Sequence, residues 1–122
     1  MTAIFVGIGG GLGAMCRYGI SLLPYKGAFP LLTLITNLLG AIIIGAIVEL
    51  ADRSSNTPSW AMPLLKTGFC GGFTTFSTFS LEAAGLMQSG RYFLMVLYAA
   101  LSLVLCICGV FLGRSAVKLI RG

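Results

Sequence analysis

The chain has no histidine, only three acidic residues (Glu49, Asp52 and Glu82), and no C-x-x-C pair. Its four cysteines, Cys16, Cys70, Cys106 and Cys108, lie inside apolar runs. Zinc centres, haem attachment and dithiol redox motifs therefore lack a ligand set. The thiols read as buried and inert. With so few carboxylates there is no carboxylate pair, nucleophile–base pair or phosphate loop, so an enzyme is not expected. Charge is scarce as well. Charged residues make up 9% of the chain, against about 25% in a soluble domain. The eight Lys and Arg give a formal net charge of +5. They mostly flank apolar runs and form no basic stripe with interleaved aromatics, so nucleic acid is not an expected partner.

What fills the chain is apolar. Hydrophobic residues make up 57% of it and the mean hydropathy is +1.00. Such a chain cannot cover a globular surface with charge, so lipid must be its solvent. Four apolar stretches, 3–23, 30–50, 60–87 and 92–119, are separated by 24–29, 51–59 and 88–91. Each stretch reaches the roughly 20 residues that cross a hydrocarbon core. In lipid every backbone polar group needs an internal partner, which predicts four transmembrane helices. The connections carry the turn formers Pro24, Gly27, Asn56, Pro58 and Gly90 and are too short to hold a domain. Residues 1–122 are expected to form one transmembrane domain. Met1-Thr2-Ala3 offers no positive leader region, which argues against a cleaved signal.

Lys26 and Arg91 fall on one side of the membrane in this scheme. Arg53, Lys118 and Arg121 fall on the other, with Lys66 and Arg114 near the boundary. So weak a bias is compatible with a fixed orientation or with insertion both ways. Glycines four apart (Gly7/Gly11, Gly9/Gly13, Gly68/Gly72, Gly109/Gly113) form small-residue faces suited to close helix packing.

The run Gly68-Phe69-Cys70-Gly71-Gly72-Phe73-Thr74-Thr75-Phe76-Ser77-Thr78-Phe79-Ser80 stands at the centre of the third stretch. Paired glycines followed by paired β-branched threonines form helix poorly. Hydroxyl residues are concentrated there too, and a plain span has little use for them. The segment predicts a broken helix at mid-membrane whose freed dipoles serve an ion. A kinked helix whose hydroxyls bond their own carbonyls is the alternative. Phe76 and Phe79 share a helical face. Their positive ring edges would suit a small anion, or the rings would simply pack. Arg17 lies deep in the first stretch, where a charge marks a functional site or snorkels to the interface. Asn37 would join helices or supply donors to an anion. Tyr98 and Ser102, four apart, would form a hydroxyl track or pack. Glu82 is the one carboxylate placed well inside the membrane.

These motifs resemble a known family. Gly9-Gly10-Gly11-Leu12-Gly13-Ala14-x-x-Arg17-Tyr18 looks like the first-helix motif of the Fluc (CrcB) fluoride channels. Thr36-Asn37-x-x-Gly40 looks like their second-helix motif, and the run from Gly68 to Ser80 is similar to their most diagnostic stretch. The resemblance implies a passive fluoride channel of the bacterial inner membrane, lowering fluoride toxicity. It further implies an all-α, antiparallel, dual-topology homodimer. A structural sodium ion would be held by the backbone oxygens of Gly71 and Thr74. Fluoride would pass Asn37, Phe76, Phe79 and Tyr98, with Ser102 and Thr78 along the same track. Arg17 would stand near a vestibule, and Glu82 just beyond the phenylalanines. Cys106 stands where some relatives carry a hydroxyl residue.

Two other classes fit the length. A proton-coupled exporter of the small multidrug resistance type needs a carboxylate in the first helix, and residues 1–23 contain none. A purely structural bundle would have no need for a mid-membrane break.

Overall fold

The computed structural model describes residues 1–121, which are helical with no strand. Helix α1 spans Thr2–Ser21 and α2 spans Leu31–Arg53. The third stretch folds in two pieces. A π-helical run, Pro63–Cys70, continues into a single α-turn, α3 (Gly71–Phe73). After the extended residues Thr74 and Thr75 the chain resumes as α4 (Phe76–Gln88). Helix α5 spans Tyr92–Arg121. Helices α1, α2 and α5 are each long and apolar enough to cross a membrane. Neither half of the third stretch alone reaches the roughly 20 residues a span needs.

Local chemistry sets the ends. Pro63 opens the π-helical run, where its missing N–H costs nothing. Between α4 and α5, Gly90 takes φ 78°, which a side chain would resist. Its N–H donates to Met87 O at 3.1 Å and Arg91 N–H donates to Leu86 O at 2.8 Å. This paired closure satisfies the last carbonyls of α4 and reverses the chain.

The packing falls into two layers. Helix α1 lies on the π-helical run and α3, while α2 makes the most extensive interface with α5. Lipid gives helices no hydrophobic reason to associate, so close backbone approach carries much of the attraction. Gly9 and Gly13 are buried, and a side chain there would run into the backbones of Leu64 and Phe69. A side chain at Gly72 would meet the Gly10 carbonyl. On the other interface, Gly45 faces the Val110 backbone and Gly113 faces the Ile42 carbonyl. Gly7 and Gly11, with the same spacing, meet nothing within 4 Å.

The surface is inside-out relative to a soluble fold. Ile4, Ile8, Leu12, Leu103, Ile107 and Phe111 all point outward. A buried apolar cluster gathers around Tyr98, which is 0% exposed, with Leu34 and Leu86. Beyond the Gly45 contact, buried Glu49 accepts from Arg53 Nε at 2.9 Å and from Arg114 Nη1 at 3.0 Å. This ties α2 to α5. The expectation of four buried thiols holds for Cys70 and fails for Cys16 and Cys108, which are exposed. An apolar run guarantees a lipid-compatible residue, and outward positions on α1 and α5 are that without being buried in protein.

Candidate functional site

The break is built by side chains that take over the helix's own hydrogen bonds. Thr74 N–H still reaches Cys70 O at 3.0 Å, and the Thr74 hydroxyl donates to the same carbonyl at 2.8 Å. The next residues leave the helix, with Thr74 at φ −92°, ψ 156° and Thr75 at φ −149°, ψ 124°. Thr75 N–H, which a continuous helix would return to Gly71, donates to Asn37 Oδ1 at 2.9 Å. Asn37 Nδ2 in turn donates to Thr75 O at 3.1 Å. Thr75 then caps α4, its Oγ1 accepting from Thr78 N–H at 3.1 Å. That N–H would otherwise return to Thr74. The carbonyls of Gly71 and Thr74 are thereby released from the ladder. On the α1 side, Arg17 Nε donates to Gly72 O at 3.1 Å, capping the end of α3 with a cation. Gly40 lets the break approach α2, since a side chain there would strike Thr74 Cγ2.

The residues singled out from sequence fall into three groups. Asn37, Phe76, Phe79 and Ser102 line one apolar cleft of about 550 Å³, together with Thr74 and Cys106. Phe76 is 79% exposed on its wall. The Ser102 hydroxyl is buried with no partner among the described residues. Tyr98 and Glu82 form a second group outside that cleft. Tyr98 Oη donates to Glu82 Oε1 at 2.9 Å, and Thr33 Oγ1 donates to Glu82 Oε2 at 3.1 Å. The two groups are joined by rings. Phe76 and Phe79 centroids are 5.4 Å apart, and Phe79 and Tyr98 centroids 4.9 Å apart. Arg17 and Thr78 belong to a third group, a small cavity of about 70 Å³ shared with Ser21, Leu32, Thr33, Thr36 and Thr75.

A sequence model of the family described as "CrcB-like protein, Camphor Resistance (CrcB)" matches residues 4–114. The chain belongs to the CrcB family. Similar CrcB relatives include a protein of Chlorobaculum tepidum, 44% identical over 120 residues, covering 97% of this chain and 95% of its own length. One from Magnetococcus marinus is 42% identical over 123 residues, covering 98% of this chain and all of its own. A third, from Azobacteroides pseudotrichonymphae, is 42% identical over 111 residues, 88% of this chain and 89% of its own. All three are named "Fluoride-specific ion channel FluC". Membership in the CrcB family and the apolar helices together make this a multi-pass bacterial membrane protein.

Within this CrcB chain the sequence reading places Thr75 in the break but misses its capping role, and it misses the role of Thr33. The cap carries a readable signal, since a threonine directly before a helical run is preferred there. Thr33 carries none. Its contact with Glu82 joins residues 49 apart in the chain, and no local pattern marks it.

Proposed function

We propose that the chain is a passive, fluoride-selective channel that exports cytoplasmic fluoride from the bacterial inner membrane. It acts as a homodimer of antiparallel subunits inserted in both orientations. The observation that carries this reading is a helix break flanked by a bare aromatic ring and a chain of rings leading to the half-buried carboxylate of Glu82. The names of the relatives agree with a fluoride channel. The cleft beside the break opens on the outside of the single chain, and four short helices leave one chain little room to enclose a pathway. A second copy closes it. The weak charge bias between the two sides leaves both orientations open to insertion.

Fluoride is small and strongly hydrated, so a pore must replace its water with donors. Ring edges of Phe76 and Phe79 offer partial positive charge without a full cation that would trap the ion. Asn37 and Ser102 add polar atoms in the same cleft, and Tyr98 and Glu82 continue the route beyond Phe79. Arg17 and Thr78, in the small cavity beside the break, draw anions toward it. The absence of histidine suits a passive route, since proton relays rest on such groups. Hydrogen fluoride enters cells as a neutral acid and dissociates inside, and the inside-negative potential then drives the anion out.

The released carbonyls of Gly71 and Thr74 fit a structural sodium ion, because both offer the oxygen donors a hard cation takes. Bound there, sodium would supply positive charge that offsets the half-helix carbonyl dipoles.

Purified protein in liposomes tests the reading. Fluoride efflux driven by its own gradient, with chloride excluded and no proton gradient needed, is the expected result. Equal passage of chloride, or transport that requires a proton gradient, would sink it.

A further inference from the structure

The two carbonyls assigned to sodium are the two whose helical donors have been captured by side chains. Asn37 Oδ1 takes Thr75 N–H at 2.9 Å, leaving Gly71 O free. Thr75 Oγ1 takes Thr78 N–H at 3.1 Å, leaving Thr74 O free. Each capture is braced. Asn37 holds the Thr75 carbonyl as well, at 3.1 Å, and Thr75 Oγ1 lies 3.2 Å from both the Thr78 and Ser77 hydroxyls. An unbraced helix would close over the gap, since each backbone N–H seeks a carbonyl when removed from water. We infer that Asn37 and Thr75 are positioning residues that hold the cation site open by keeping these two N–H groups away from its oxygens. The inference rests on the sodium site of the proposed function.

It gives Asn37 a second task besides lining the cleft. Its Oδ1 and one Nδ2 proton are committed to Thr75, so one amide proton remains for an anion. It also assigns a role to Thr75, whose hydroxyl acts on the neighbouring oxygens without touching the ion.

The test reads sodium binding through stability, because a ligand of the folded state raises the unfolding midpoint by mass action. Detergent-purified dimer is unfolded thermally across a sodium series balanced with a large organic cation. Wild-type protein is expected to gain stability with sodium. Asn37→Ala and Thr75→Ala should each raise the sodium concentration at which the midpoint begins to climb by about tenfold or more. Thr75→Ser, which keeps the hydroxyl, should restore the wild-type value. A merely structural defect would lower every midpoint alike and leave the onset concentration in place. That outcome in both alanine variants overturns the inference while the sodium reading survives. A wild-type protein indifferent to sodium overturns both. Should Asn37→Ala yield no folded protein, Thr75→Ala against Thr75→Ser decides the question alone.

Discussion

The two halves of the third stretch are held in opposite ways. The upstream half, Pro63–Cys70 with Gly71–Phe73, packs chiefly on α1. Bare backbone meets bare backbone there, through Gly9, Gly13, Gly68 and Gly72. The downstream half, Phe76–Gln88, packs on α5 and α2. Side chains secure it: Asn37 on Thr75, Phe79 on Tyr98, and Glu82 between Thr33 and Tyr98. Close backbone contact gives rigidity and brings no functional side chain to the break, only the Gly71 carbonyl at its end. Side-chain contact puts rings, hydroxyls and a carboxylate where an ion would travel. One half anchors the break and the other equips it.

This contrast can be broken from either side. The largest effect is expected at Gly13→Leu. The new side chain meets the Phe69 carbonyl and the Phe73 nitrogen, both backbone atoms. Overpacking against backbone that cannot yield should cost about 3 kcal/mol or more. Size-exclusion chromatography should then show aggregate in place of folded protein. A folded, active variant would mean that the upstream half is not backbone-locked.

Phe76→Ile and Phe79→Ile attack the downstream half. Each keeps apolar bulk and removes a ring edge, so fluoride efflux should fall about tenfold, equivalent to about 1.4 kcal/mol, while the elution profile is unchanged. Unaltered flux in both would remove the rings from the pathway.

Arg114→Ala probes a contact belonging to neither half. Glu49 keeps Arg53, and the Arg114 side chain is 33% exposed. The loss should therefore be about 1 kcal/mol, visible in denaturant unfolding with flux retained. Gly7→Ala should raise stability by about 0.5–1 kcal/mol, because the position is helical and nothing lies within 4 Å of the added carbon. A large effect there would reveal a neighbour absent from the single chain.

The interruption was legible because Gly71, Gly72, Thr74 and Thr75 are poor helix formers set in an apolar span. The spans were legible because lipid requires long apolar runs. Other features left no local trace. Gly7/Gly11 and Gly9/Gly13 have one spacing and opposite fates, decided by which face of α1 meets the third stretch. Glu49 finds Arg114 65 residues away. Arg17, open between snorkelling and function, turns back to the Gly72 carbonyl. The π-helical geometry of 63–70 is the least legible of all, since its residues would serve equally in an α-helix.

That wide winding has an evolutionary consequence. A π-turn closes its hydrogen bond one residue later than an α-turn, so the run stores slack. Removing one residue between Pro63 and Cys70 would tighten the coil and leave the Thr74–Thr75 corner in register. The same deletion within α1 would rotate everything downstream by about 100° and carry Gly13 off its seat. Changes in length along this lineage are therefore expected to collect just upstream of the corner.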